Sequence, residues 1–331
     1  MRYLFKRIID LDRIYLIVLD NTNIVSIFTL NILVMFSTLN ALDFQQQFRD
    51  SNSCLEYLSE MKWKDGYMCR KCCCLIYTKG YTPFSRRCAS CRYDESPTAH
   101  TIFHKLKFSI LKAFHGVFRY SRKKGMSSYE LSKELSISQK TAWLFHRKIQ
   151  QAMASSGKHP LTGEVHIDEF VTGGPEPIKR GRSLGRKKKS LMMAEVIDGK
   201  KIGRIYCTKI ANYKKETIYP IIERTVAKDA RVVTDEFPTY DKLKEKFKKA
   251  KQRRSRNGSA FENLHQQIMN LKGWLRGIHH HCSEHHYQLY LDEFCFRTNR
   301  RNKEHGIFCL LMTRIASIQS KTFKELTAFA A

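Results

Sequence analysis

Acidic residues are scarce in this chain. Asp and Glu number 31 against 59 Lys and Arg in 331 residues, a formal net charge of +28 with a sequence pI near 9.7. That shortage argues against an enzyme of small neutral metabolites. It points instead to a polyanionic partner, nucleic acid or an anionic membrane surface. Internal repeats at solenoid periods are missing, and nothing after residue 45 reads as transmembrane. A spread cysteine framework of the secreted kind is missing too. Of the eleven cysteines, Cys69, Cys72, Cys73, Cys74, Cys88 and Cys91 crowd into one short segment, as metal ligands do in a reducing compartment. What is present excludes wholesale disorder: 42 % of residues are hydrophobic and 11 % aromatic, enough for a buried core.

Four regions separate by pattern. Residues 1–42 form an apolar leader with no charge between Asn21 and Ala41. Its length suits a membrane span or signal anchor, but Asn21, Asn23, Ser26, Thr29, Asn31, Ser37, Thr38 and Asn40 weigh against one. A surface or buried helix, or an extension upstream of the true domain, is the alternative. Residues 43–104 hold the cysteine cluster. Residues 105–155 read as helical, with an apolar stripe at Phe108, Leu111, Phe114 and Phe118. Residues 160–325 alternate strand-like and helix-like segments after a linker at Ser155–Pro160. In that last region Glu164–Val171, Leu191–Ile197, Ile202–Thr208 and Ala230–Thr234 read as strands, and Tyr213–Val226 and Phe261–Leu275 as helices. The expectation is an α+β multidomain chain with a mixed sheet in its last part.

Cys69-x2-Cys72, fifteen residues, then Cys88-x2-Cys91 is zinc-ribbon spacing. A two-residue gap lets two thiolates reach one tetrahedral ion at about 2.3 Å each. Four thiolates leave no open position, so this zinc is expected to be structural. Cys74 is a substitute for Cys72 that spacing alone leaves open.

Met126–Met153 reads as two short helices joined by a tight turn. Ser127 or Ser128 caps the first and Ser138 the second. This is helix-turn-helix layout, or else an ordinary helical hairpin. In the former, Gln139, Lys140 and Thr141 start the second helix, where base-edge contacts are made. Asp168 on one strand and Asp235 just past another, each followed by Glu, suggest a divalent ion held against phosphate.

These residues, taken in order, resemble a known family. Trp63-x-Asp65-Gly66-Tyr67-x-Cys69, Arg87-Cys88-Ala89-Ser90-Cys91-Arg92-Tyr93 and Thr98–His104 resemble the zinc-ribbon start of the ISXO-like insertion-sequence transposases, whose eukaryotic relatives are the Merlin elements. Leu131–Trp143, Val165–Gly174, Val233–Asp235, Lys272–Gly277 and Tyr290–Arg300 continue the match, over about residues 42–305. The resemblance implies a DDE-type, ribonuclease-H-like catalytic core that cuts and joins DNA with Mg2+ or Mn2+. Asp168, Asp235 and a residue on the late helix would be its ligands. Lys272 counted back seven places gives His265, where many such enzymes carry Glu. Glu262 and Asn270 are the other choices.

On this reading the partners are DNA, at element ends and targets, and further copies of the chain, with no small-molecule substrate. The location is intracellular, with the DNA. Lys140, Lys187, Lys188, Lys189, Lys272 and Arg276 are the expected DNA contacts, aided by the basic runs Lys179–Lys189 and Lys244–Arg256. The runs His279–His281 and His285–His286 either pack, meet DNA or bind metal. The rival reading is a non-catalytic DNA-binding protein derived from a transposase. Intact Asp168 and Asp235 favour the enzyme, and His265 in place of Glu keeps the rival open.

Overall fold

The computed structural model describes residues 5–10, 13–18, 40–122, 124–174, 187–199, 201–302, 306–318 and 321–328. The uncharged leader up to residue 39, Lys123, and Lys179, Arg180, Arg182 and Arg186 of the basic run lie outside the described residues. Among the described residues no helix is long and apolar enough to cross a membrane.

An antiparallel hairpin pairs β1 (Phe5–Asp10) with β2 (Arg13–Val18). Then come α1 (Ala41–Gln47) and α2 (Ser51–Lys62), a small antiparallel sheet of β3 (Tyr77–Lys79), β4 (Arg86–Cys88) and β5 (Asp94–Glu95), and α3 (Ile110–Ser121), α4 (Ser128–Leu135) and α5 (Gln139–Met153). Short polar residues start these helices where the chain leaves extended geometry. Asn40, Asp50, Ser109, Ser127 and Ser138 each accept a backbone N–H from the first turn, and each such cap is worth about 1 kcal/mol. The cap of α4 is thus Ser127, not Ser128, and Glu130 completes its capping box. Ser136 ends it in the left-handed region, at φ 49°.

The rest of the chain builds a mixed sheet. Its elements are β6 (Glu164–Thr172), β7 (Lys188–Ile197), β8 (Lys201–Ile210), α6 (Lys215–Thr225), β9 (Arg231–Thr234), β10 (Lys251–Gln252), α7 (Glu262–Ile278), α8 (Tyr287–Thr298), α9 (Ile307–Ser317) and α10 (Phe323–Thr327). The strand order is β10-β9-β6-β7-β8. β6, β7 and β8 form an antiparallel meander, and β9 and β10 add in parallel beside β6. β7 is buried on both faces, so its centre reads as the unbroken apolar run Leu191-Met192-Met193-Ala194.

The alternation along β6 sends Val165 and Ile167 to the face covered by Ile218 and Ile222 of α6. Phe170 goes to the other face, with Leu264, Ile268 and Leu271 of α7 and Leu291 of α8. The sheet therefore lies between two helical layers. A separate core joins Phe44, Leu58, Phe114 and Phe145 of the earlier helices to Phe308, Leu311 and Ile315 of α9. The last long helix thus packs on the helical body and not on the sheet.

Candidate active site and metal centre

β6 and β9 run parallel, with His166 level with Val233. Two residues further along each strand stand Asp168 and Asp235. Both keep the side-chain parity of Phe170 and Val233, the face toward α7. Asp168, in the middle of β6, thus lies just beyond the last residue that β6 pairs with β9, and Asp235 just past the end of β9. Each is half-buried.

From α7, His265 Nε2 lies 2.9 Å from Asp168 Oδ2. The Asp168 bond raises the imidazole above its ordinary value, against the opposing pull of partial burial. Glu262 and Asn270 are exposed on the same helix, and the Asn270 side chain accepts from Gln266 at 3.0 Å. Of the three residues left open for the late helix, His265 is the one bonded to Asp168. Asp235 Oδ1 caps the turn behind it by accepting the Phe237 N–H at 3.2 Å.

Cations frame these acids. Lys272, about two turns beyond His265 on α7, is pulled below its usual value by burial and by Arg276, and Asp168 and Lys187 also act on its charge. Lys188 Nζ lies 5.8 Å from the Tyr287 ring, and Lys272 Nζ 5.7 Å from the Phe170 ring. Arg276 is exposed one turn further on. Lys140 is exposed at the first turn of α5, 4.9 Å from the Phe323 ring, and stands apart from this group. One contact has no signal in the sequence: the buried Tyr240 hydroxyl donates to Glu169 Oε1 at 2.6 Å, bracing the acid next to Asp168.

The donor set of two carboxylates and an imidazole suits a hard divalent ion, with Mn2+ better served than Mg2+ by the nitrogen. Among the described residues Asp168, Asp235 and His265 do not form a group with all ligand atoms within 4.8 Å. A pair of ions about 3.5–4 Å apart does not require that, because each ion takes only part of the set.

The cysteines do form such a group. Cys69, Cys72, Cys88 and Cys91 bring their Sγ atoms within 4.8 Å of one another. Cys69–Cys91 and Cys72–Cys88 are each 3.5 Å apart, close to the roughly 3.8 Å edge of a tetrahedral zinc–thiolate site. The two knuckles repeat one geometry. Cys73 N–H donates to Cys69 O at 2.9 Å and Arg92 N–H to Cys88 O at 3.1 Å, and both donors sit in the left-handed region, at φ 59° and 60°. Backbone N–H groups also face the sulfurs, Lys71 toward Cys69 at 3.4 Å and Cys91 toward Cys88 at 3.5 Å. The latter holds the Cys88 thiol down to about 6, as suits a thiolate ligand. Cys74 turns its sulfur to the Ile76 carbonyl at 3.7 Å, outside the group, so Cys72 is the second member of the first knuckle. These four residues could hold zinc.

A second cluster, His146, His279 and Glu293, joins α5 to α7 and α8. Glu293 accepts from Arg297 at 2.7 Å and from Gln150 at 2.7 Å. Arg147, also buried, donates to the Tyr290 hydroxyl and to Gln150. One carboxylate thus already holds one buried guanidinium directly, with a second linked to it by hydrogen bonds through Gln150. Another cation would enter a positive, low-dielectric site, so this cluster is a polar lock between the helical body and the sheet domain, and the charges oppose a metal there. Of the five histidines in the two runs, His279 belongs to this lock, while His280, His281, His285 and His286 have no place in it, and His286 lies against the Trp143 ring at 5.3 Å.

The lock has a pH consequence. Burial lowers both His146 and His279, the latter to about 3. The folded state keeps them neutral while the unfolded chain protonates them near 6.5. Below that pH the unfolded state binds more protons, so stability falls as pH drops. Each histidine contributes a loss of up to about 1.4 kcal/mol per pH unit, until its folded value is reached. The thermal midpoint should therefore decline from pH 7 to 5, and His279→Asn should flatten the decline. A midpoint that stays level in the parent over that range contradicts the buried neutral pair.

Residues 160–299, which contain Asp168, Asp235 and His265, match the family model of the ISXO2-like transposase domain. No curated protein matches the chain.

Proposed function

We propose that this chain, whose residues 160–299 form an ISXO2-like transposase domain, is a metal-dependent DNA transposase that binds element ends and cuts and transfers strands. The observation that carries the proposal is His265 of α7 bonded to Asp168 on β6, with Asp235 just past the neighbouring parallel strand β9. A strand order of three antiparallel strands with two more added in parallel supports a ribonuclease-H-like core. Asp168, Asp235 and His265 would hold Mg2+ or Mn2+. When bound, such ions supply charge stabilisation at the attacking and leaving oxygens of phosphoryl transfer. The chain's own residues orient the strand: Lys187, Lys188, Lys189, Lys272 and Arg276 meet phosphates around the acids. Lys140 and the helix α5 approach a groove as the second helix of a helix-turn-helix. The four-cysteine group, with zinc, stiffens the ribbon between α2 and α3, and copies of the chain assemble on DNA.

The test is strand cleavage of a duplex carrying the sequences that flank the chain's own reading frame, with and without divalent metal. His265 where many relatives have Glu favours a second reading, a DNA-binding protein that no longer cuts. Binding without metal-dependent cleavage would select it.

The lysine group makes its own prediction. Each neutralised phosphate steepens the fall of log affinity with log salt by about 0.9. Lys187→Ala, Lys188→Ala and Lys189→Ala together should flatten that slope by roughly 2 to 3, measured by fluorescence anisotropy across a salt series. An unchanged slope removes this group from the interface.

A further inference from the structure

We infer that this protein holds a second stretch of DNA backbone in a cleft beside β8, apart from the carboxylate site; this rests on the DNA-processing reading above. The cleft has a volume of about 880 Å³. It lies between the end of α5, the connection 154–160, the outer edge of β8, and helices α8 and α9. Arg204, Arg300 and Arg314 converge on it. The Arg300 and Arg314 guanidiniums stand 3.9 and 5.2 Å from the centre of the same Phe296 ring.

Their hydrogen bonds go to carbonyls. Arg204 Nη1 donates to His159 O at 3.4 Å and Arg300 Nη1 to Phe296 O at 3.0 Å. Arg314 Nη1 donates to Ala152 O at 3.2 Å and Ala154 O at 2.9 Å, at the end of α5. None of the three has a carboxylate partner among the described residues. A guanidinium carries five N–H donors, so most of them remain for a ligand. The carboxylate in the cleft wall, Asp292, is turned to Gln288 at 2.9 Å, and burial pushes it up to about 6. It makes no ion pair with the three arginines among the described residues. Burial, then Arg314 and Arg204, bring Arg300 down to about 10, so the three cations act on one another.

Three clustered guanidiniums without an ion-pair partner are stabilised by an anion that accepts several N–H bonds at once, which is phosphate chemistry. The cleft is larger than one phosphate and opens past the exposed connection bearing Ser155, Ser156 and Lys158. Successive phosphates of a DNA strand fit it better than a single small anion. Contacts of this kind fix position without reading sequence.

The β8 edge itself is closed to strand addition. Asn299 exchanges two bonds with Ile205, at 2.8 and 2.9 Å, and Gln288 bonds Lys209 N at 2.8 Å and Cys207 O at 3.1 Å. The cleft therefore binds through side chains. It is separate from the acids. Asp168 pairs with Met192 and Met192 with Cys207, which places Cys207 about 10 Å from Asp168 across the sheet with the buried Met192 between.

The experiment uses the full chain and a random-sequence duplex of about 30 base pairs, with affinity read across a salt series. Arg204→Gln with Arg300→Gln should flatten the salt slope by about 1 to 2 and weaken binding roughly tenfold at low salt. Arg204→Lys with Arg300→Lys should keep most of the slope, because the charge stays. Arg314 is left intact because it caps α5. If the double Gln variant keeps the parent's thermal midpoint and the parent's slope while the Lys187–Lys189 alanine variant loses slope, the cleft is overturned and the DNA reading stands. If the parent shows no salt-dependent binding, both fall. Should the double variant not fold, Arg204→Gln alone decides. Its side chain makes one hydrogen bond, to the exposed connection, and its slope should drop by about 0.9. No drop overturns the inference.

Discussion

Asp168→Asn and Asp235→Asn should each abolish strand cleavage and leave DNA binding intact. The amide keeps the size of the side chain and loses the charge that holds a divalent ion. Both residues are half-buried, Asp168 in the middle of β6 and Asp235 just past β9, and neither belongs to the apolar cores, so folding should survive. A Lewis-acid contribution of several kcal/mol corresponds to a loss of roughly a thousandfold or more. His265→Ala should cost less, because a neutral imidazole brings no charge and water can take its position. His265→Glu should match or exceed the parent in Mg2+. The parent should gain more than that variant from Mn2+, which accepts imidazole more readily. Single-turnover cleavage by each variant in each metal checks this. If His265→Ala cuts like the parent in both metals and Glu262→Ala is dead, the third ligand is Glu262.

Loss of zinc should produce the largest change in folding. The ribbon has a very small apolar core of its own, Trp63, Tyr67, Cys69 and Cys88. Two of those four residues, Cys69 and Cys88, are themselves members of the four-cysteine group. Zinc bound by thiolates in small domains is worth about 10–16 kcal/mol, far more than so small a cluster supplies. The purified chain should carry one zinc bound by these cysteines. Cys88→Ser should lose it, and the ribbon amides should then exchange freely. One further bond ties the ribbon to α2: Lys62 meets Glu95 at 2.6 Å, with both side chains almost fully buried. Without the ribbon fold that buried lysine loses its partner, so the damage should reach α2 as well. A metal-free chain with protected ribbon amides would contradict this account.

Much of the sheet was legible because its strands alternate or run apolar, although β7 and β8 run three residues longer than the apolar pattern marked, into flanking positions that are mostly Lys. Glu164–Val171 became β6, and Phe261–Leu275 became α7 with nearly one extra turn. Spacing also carried the cysteines, since two residues between thiolates is a local constraint. It left Cys72 and Cys74 both open, and only the path of the knuckle, which turns Cys74 outward, separates them. Other features depend on contacts far apart in sequence. The packing of α9 on the helical body has no local signal, because an apolar helix reads the same whichever core receives it. Tyr240 reaching Glu169, Arg297 and Gln150 sharing Glu293, and the arginines beside β8 belong to the same class. The pairing of His265 with Asp168 lies between these cases. The count back from Lys272 marked the position, and the crossing of α7 over β6 made the contact.

The central claim is that Asp168, Asp235 and His265 make a metal-dependent DNA-cutting site. The direct measurement is cleavage of flank-containing duplex by the metal-stripped chain, reconstituted with zinc, as Mg2+ or Mn2+ is titrated in. The account predicts no cutting without the second metal, saturable cutting on its addition, and none at any concentration with Asp168→Asn. Cutting that persists in the Asp168→Asn protein, or a parent that binds the duplex and never cuts it in either metal, would contradict it.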